Sequence, residues 1–296
     1  MEHALRMPLE LRRGRPAGSV FHNPAFHAPF GVRSPWVQTL LDVIPLVFDS
    51  PDQAVLRARW KRFGPRYRQA DAVVAISQHA ADEGIRLLGL DPARVRVALL
   101  GVDPSFCVGD GGGDDAAPYL LVVSEYSARK GFAEAFAVID SLADAGYPHR
   151  LLVAGRLQPW SRQALADLRA TAKHPDRIEI LGFVPDLIAL YQGASGFLMT
   201  SRYEGFGLPA LEAMACGVPV VAFANSSITE VVRHGGALVE DGDVVAMAAA
   251  IRQVLDHSAL AVERREQGVA HAATFTWAKC AAIHAEVYRE VAERAA

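Results

Sequence analysis

Two glutamates eight positions apart, Glu204 and Glu212, flank the loop Gly205-Phe206-Gly207-Leu208, with Pro209 directly after it. Pro209 suits the first position of a helix, where its missing N–H costs nothing and its fixed φ is already helical. Ala210 to Cys216 are mostly good helix formers. Gly217 fits the left-handed position past the helix end, and Pro219 stops any continuation. Val218 to Phe223 read as a short, fully buried strand. Gly205 and Gly207 clear side chains from the loop, so a ligand can approach the backbone. The free N–H groups and positive dipole end of the helix then form an anion site. Glu212, expected in the first turn, would repel a bound phosphate unless it accepts hydrogen bonds from neighbouring hydroxyls, as a ribose 2′,3′-diol supplies. Glu204 stands on the other side of the glycine loop. Taken alone, two such glutamates would favour a solvated surface pair; the loop, proline, helix stop and strand together favour a site for a phosphorylated, hydroxyl-rich ligand.

The elements that position this segment follow from the rest of the chain. Its 296 residues suit two medium domains or one large α/β domain, and 51% hydrophobic residues are enough for a sizeable core. No apolar run reaches membrane-spanning length and no signal-peptide stretch opens the chain, so the expected compartment is the cytoplasm. A peripheral place at the inner membrane surface stays open. Cys107, Cys216 and Cys280 are an odd set without paired spacing, which indicates neither a disulfide framework nor a zinc site, but buried or inert thiols. Cys216 reads as a packing residue. No metal and no cofactor are expected.

Strand and helix alternate through the last two thirds of the chain. Strands are expected at Tyr119–Ser124, Arg150–Ala154, Ile178–Leu181 and Gly196–Thr200, and helices at Gly131–Ala145, Arg162–Lys173, Leu187–Gln192 and Val244–Leu255. This spacing predicts a parallel, doubly wound α/β sheet with ligands at the carboxyl ends of its strands, and Glu204 falls just past such an end. Trp36–Leu41, Ala72–Ile76 and Val95–Leu100 read as strands of a second α/β unit, with a helix at Asp82–Leu88; helices near Ala54–Phe63 and the N-terminus are less defined. The expected division is a domain over 1–108, a glycine-rich linker over 109–118, a domain over 119–275 and a closing helix over 276–296.

Residues 201–221 resemble the donor-site motif of family 4 glycosyltransferases, whose GT-B fold sets two Rossmann-like domains across a cleft. Gly101-Val-Asp103 with Phe106, Ala70 to Ser77, Ala128-Arg-Lys-Gly131, Val153-Ala-Gly155, Leu181-Gly-Phe-Val184 and Phe275-Thr-Trp277 are similar to further family segments, and the likeness runs from about residue 19 to the end. The resemblance implies a retaining, metal-independent transfer of sugar from a nucleotide-diphosphate donor to an acceptor it does not identify. It implies that Glu212 holds the ribose diol and that Gly205, Phe206, Gly207 and Leu208 offer backbone donors to sugar and phosphate. Glu204 would contact the transferred sugar near the reacting carbon, Lys130 the diphosphate, and the backbone at Phe183 and Val184 the base.

Two departures stand out. Ser124-Glu125 occupies the place of the family's Gly-Arg, so Arg129 or Arg156 would have to supply the missing cation, and an inward Glu125 would cost about 4 kcal/mol at 4 Å from the diphosphate. The N-terminal domain is also short by roughly 80 residues. The expectation is truncation, a cover formed by residues 1–18, or a partner or self-association closing the incomplete sheet. Asp42, His22 and His79 are cleft candidates, each with an ordinary structural reading: a strand-end cap or turn for Asp42, surface or satisfied core residues for the histidines. Two rivals are a non-catalytic nucleotide-sugar-binding or scaffold protein and a sugar-nucleotide epimerase of the same architecture.

Charge separates the two parts: residues 1–106 hold 14 Lys/Arg against 10 Asp/Glu, and 107–296 hold 16 against 23. Arg57, Arg59, Lys61, Arg62, Arg66 and Arg68 fall on two sides of a helix that Gly64-Pro65 should break, so no focused nucleic-acid groove is indicated. The cations are a solvated surface or attract an anionic membrane or phosphorylated acceptor.

Overall fold

In the computed structural model, which describes residues 19–28, 32, 35–48, 53–109 and 117–296, the chain separates into two units. The first takes the described residues through Gly101 together with Trp277–Ala296; the second is Val102–Thr276. Most of the expected linker (110–116), and residues 1–18 with their expected helix and cover, lie outside the described residues.

The first unit holds β1 (Phe21–Asn23), β2 (Trp36–Leu40), α1 (Ile44–Val47), α2 (Ala54–Phe63), β3 (Ala72–Ala75), α3 (Gln78–Leu88) and β4 (Val95–Val97). The four strands are parallel, in the order β1-β2-β3-β4. Side chains alternate across a strand, and here both faces find a cover. Trp36, Leu40, Val73 and Ala75 pack with Trp60 of α2 and Ala80, Ala81 and Leu88 of α3. Val37, Ala72 and Val74 pack with Cys280, Val287 and Val291 of the closing helix Trp277–Arg294. The third inward residue of β2, Gln38, is polar and fully buried; its amide donates to the Ala25 carbonyl at 2.7 Å and accepts from Asn23 at 2.7 Å. That satisfaction is what makes its burial affordable.

The second unit holds β5 (Tyr119–Val123), α4 (Phe132–Asp144), β6 (Arg150–Ala154), α5 (Pro159–Ala170), β7 (Ile178–Gly182), α6 (Leu187–Gln192), β8 (Gly196–Met199), α7 (Leu208–Ala215), β9 (Val220–Phe223), α8 (Ile228–Val232), β10 (Ala237–Val239), α9 (Val244–Asp256) and α10 (Ser258–Ala272); the closing helix is α11. All six strands are parallel, in the order β10-β9-β8-β5-β6-β7. Counted within the unit this is 6-5-4-1-2-3, so the winding reverses between β5 and β8. In doubly wound sheets, ligands bind in the crevice outside the carboxyl ends of the strands at such a reversal point. Leu120, Leu151, Val153, Leu198, Val221 and Phe223 from the sheet pack with Phe132, Phe136, Ile139, Met247 and Ile251 from α4 and α9. Central strands buried on both faces read as apolar runs rather than alternating ones.

Several expected boundaries shift. The helix expected at Arg162–Lys173 starts earlier, at Pro159, where proline fits the first turn. The strand expected from Val218 begins at Val220, because Gly217 and Val218 still close the preceding helix through hydrogen bonds to Met214 and Ala213. Cys216 and Cys280 are buried, whereas Cys107 is exposed.

Candidate functional site

The loop after β5 and the loop after β8 leave adjacent strands at the reversal point, and their side chains meet. Lys130 Nζ lies 2.5 Å from Glu204 Oε1, and Arg129 Nη1 lies 3.1 Å from Glu204 Oε2. The backbones are stitched as well: the Arg202 N–H donates to the Arg129 carbonyl at 2.7 Å, the Thr200 hydroxyl to the Lys130 carbonyl at 3.0 Å, and Arg129 Nη1 to the Tyr203 carbonyl at 2.7 Å. Gly131 turns the first loop at φ +64°; a Cβ there would stand 2.0 Å from the Thr200 carbonyl oxygen, so only glycine lets the strands' loops approach this closely.

Glu204 is 8% exposed. Burial raises its pKa, but Lys130 and Arg129 together outweigh burial and hold the carboxyl below the ordinary 4.5. Burial pushes the Lys130 ammonium down, aided by the Arg129 charge and opposed by Glu204. One carboxylate thus faces two cations, and one positive charge is left over. Gly131 and Gly207 directly precede α4 and α7, so two helix N-termini flank the cluster. Each carries the equivalent of about half a positive charge. The place is electrostatically prepared for an anion of more than one charge.

A third loop, after β9, fixes the other side of Glu204. The Glu204 N–H donates to Ser226 Oγ at 2.9 Å, and the Ser227 hydroxyl bonds the carbonyls of Glu204 and Phe206, each at 2.9 Å. Ser226 sits at φ +41°, a left-handed conformation that costs a non-glycine residue about 1–2 kcal/mol. Arg202 reaches from the motif to Glu134 in the first turn of α4 (2.6 Å) and to Asp241 (3.5 Å), tying the two loops' supports together. None of these residues carries a signal in the sequence beyond the loop-like run Asn225-Ser226-Ser227.

α7 differs in two details from the expectation. It starts at Leu208, so Pro209 is its second residue, and Glu212, the fifth, lies beyond the first turn. Gly207 at φ +108° makes the entry, where a Cβ would meet Ile228 Cδ1 at 2.6 Å. Glu212 Oε2 accepts the Tyr191 hydroxyl at 2.9 Å, a partner the spacing did not reveal. Burial pushes the Glu212 pKa above 4.5 against the opposing pull of that hydroxyl. A carboxylate offers about four lone-pair directions, so one bond from tyrosine leaves capacity for further hydroxyls. Phe206 is buried edge-on against Phe275, so only its backbone can serve a ligand; Gly205 is buried and Leu208 half-buried.

The remaining candidates divide. Arg156 and Phe183 follow β6 and β7, on the side of β5 opposite β8, with the exposed guanidinium 5.9 Å from the exposed ring; Val184 beside them is half-buried. Gly155 at φ +154° lets this loop lie against Ser124, whose carbonyl oxygen a Cβ would meet at 1.9 Å. Glu125 is exposed, and its charge acts on Lys130 by supporting protonation. Of the first unit's candidates, Asp42 accepts the Ile44 N–H at 2.9 Å, a turn role. His22 bonds the Thr39 and Tyr288 hydroxyls at 2.8 and 2.7 Å. His79 stands half-buried in α3, where its charge bears on Glu83.

Comparison with known proteins places the chain in a family. Residues 110–271 match the family described as "Glycosyl transferases group 1", and residues 3–106 match "Glycosyltransferase Family 4". Among curated relatives, the chain is 29% identical to the O-antigen chain mannosyltransferase B of Escherichia coli over 91% of its own length and 74% of that protein's. It is 40% identical to a D-inositol 3-phosphate glycosyltransferase of Thermobispora bispora over 44% of this chain and 31% of that one, so it spans under a third of that relative. Among solved structures, sucrose-phosphate synthase of Thermosynechococcus elongatus superposes with a TM-score of 0.75 at 24% identity, over 86% of this chain and 67% of the other. HepE of Anabaena, solved with UDP and glucose, gives 0.69 at 23% identity over 89% and 72%.

Proposed function

Because the chain belongs to the group 1 glycosyl transferases and has their GT-B fold, we propose that it transfers a sugar from a nucleotide-diphosphate donor to an acceptor hydroxyl with retention of configuration. The observation that carries this reading is the cluster of Glu204, Lys130 and Arg129 at the β5–β8 reversal, with one positive charge in surplus between two helix N-termini.

In this reading the donor diphosphate takes the surplus charge of Lys130 and Arg129. A unit charge pair at 4 Å is worth about 4 kcal/mol at the effective dielectric of such sites, and charge grows on the diphosphate as it leaves. The C1–oxygen bond to the diphosphate breaks while the acceptor oxygen bonds C1 on the same face. The acceptor proton passes to the departing phosphate oxygen. Glu204, displaced in part from its cations by the diphosphate, accepts hydrogen bonds from the transferred sugar and positions C1. Glu212 accepts the ribose diol, and the backbone beside Phe183 and Val184, with Arg156, borders the base. The UDP held by HepE is consistent with a donor of this class.

The test is turnover of a panel of nucleotide sugars, scored as transfer or slow donor hydrolysis, with the product anomer read by NMR. Glu204→Ala is expected to lose turnover and keep its fold. Full turnover in that variant refutes the assignment, inverted product refutes retention, and donor binding without any turnover in the wild type favours a binding protein.

A further inference from the structure

Lys130 and Arg129 already hold an anion of the protein's own. Glu204 Oε1 meets Lys130 Nζ at 2.5 Å and Oε2 meets Arg129 Nη1 at 3.1 Å, and the Ser201 hydroxyl adds a further hydrogen bond to the carboxylate. The Lys130 and Arg129 side chains are 13% and 16% exposed, so salt screens these attractions little. A diphosphate settling on the same cations has two courses. It displaces the carboxylate, or it lies beside a like charge that repels it. In both, Glu204 opposes the binding of an anion that its neighbours attract.

The surroundings decide which group gives way. Arg129 is anchored by its bond to the Tyr203 carbonyl at 2.7 Å, and the Glu204 backbone by Ser226 and Ser227, each at 2.9 Å. The side chain of Glu204 is therefore the part that can swing off its cations. A buried carboxylate that loses its partners needs other donors. The hydroxyls of a sugar attached to the diphosphate are such donors, and the reading above puts them beside Glu204. A free nucleoside diphosphate offers none, and its terminal phosphate carries more negative charge than that of the sugar ester.

We infer that Glu204 selects between the two nucleotide forms: it competes with a diphosphate for Lys130 and Arg129, yields when a sugar is attached, and drives out the spent nucleoside diphosphate after transfer. The inference rests on the donor reading above. It predicts the opposite of a lost contact, since removing the Glu204 charge strengthens binding of the product. Calorimetry at neutral pH tests it on the full chain, with inorganic pyrophosphate, UDP against UDP-glucose, and GDP against GDP-mannose as probes. Glu204→Gln is expected to bind pyrophosphate and the nucleoside diphosphate about tenfold tighter than wild type, equal to about 1.4 kcal/mol. Its affinity for the nucleotide sugar should change far less, because the cations it frees are offset by the sugar contact it loses. The gain should shrink in the Lys130→Ala background, where one of the two freed cations is gone. Circular dichroism confirms the fold of each variant, and Glu204→Ala is expected to shift product affinity in the same direction should the glutamine variant not fold. The inference alone is overturned, with the donor reading left standing, by any of three results in a wild type that binds nucleotide. These are no tighter product binding in Glu204→Gln, an equal gain for nucleotide and nucleotide sugar, or a gain that persists in full without Lys130. A wild type that binds none of the probes refutes the donor reading, and the inference with it.

Discussion

Glu204 and Glu212 are chemically identical residues that the fold drives apart. Glu204 is buried against two cations and its carboxyl is held below the ordinary range; Glu212 is half-buried beside a neutral tyrosine and is pushed above it. The signs lead to different pH behaviour. A depressed carboxyl contributes stability that is present above its unfolded pKa and lost as pH falls through the folded value. The melting-temperature difference between wild type and Glu204→Gln should therefore be full above pH 4.5 and shrink in acid; a difference independent of pH would contradict the ion-pair account. Glu212 protonates earlier as pH falls, and a protonated carboxyl loses acceptor capacity. Nucleotide affinity should thus drop on acidification above pH 4.5, and Glu212→Gln should remove that dependence. For turnover, Glu204→Gln is expected to cost about 10²–10³, the range for one lost polar contact to a transition state.

The elements show which parts of the site were legible beforehand. The order strand, glycine loop, proline, helix, glycine stop and strand around residues 196–223 is written in local chemistry, and the structure follows it within a residue or two. The same holds for α6 and β6, whose apolar runs are bounded by Gly and Pro. Short β1, β10 and α8 were not legible, because three to five residues give too little periodicity. α10 is not legible for another reason: its exposed, charged sequence has little apolar stripe to betray a helix. Ser226, Ser227, Tyr191 and Arg202 escaped because their roles come from distant strand neighbours, which no spacing within the motif encodes. The glycine contacts give a prediction at this scale. Gly131→Ala forces a Cβ onto the Thr200 carbonyl at φ +64°. It should cost roughly 1–3 kcal/mol of stability, read by urea unfolding, and weaken nucleotide binding with it. An alanine variant as stable as wild type would show that the two loops need not approach so closely.

At the scale of the molecule, the proposed donor residues Lys130, Glu204 and Glu212 all belong to the unit Val102–Thr276. A ligand bound only by the folded state stabilises what it binds, by about 2.7 kcal/mol at a concentration of 100 times its Kd. Hydrogen exchange with a saturating nucleotide diphosphate should therefore slow mainly at the starts of α4 and α7 and leave α2 and α3 unchanged. The measurement closest to the central claim is a binding cycle by calorimetry, in which wild type and Glu212→Ala are titrated with a ribonucleoside diphosphate and its 2′-deoxy counterpart, beside Lys130→Ala with the ribonucleotide. The predicted result is that loss of the 2′-hydroxyl weakens wild type by about tenfold, equal to about 1.4 kcal/mol, yet leaves Glu212→Ala unaffected, while Lys130→Ala binds poorly. Equal penalties for the missing hydroxyl in both proteins, or full affinity in Lys130→Ala, would contradict the assignment of this crevice to a nucleotide-diphosphate sugar.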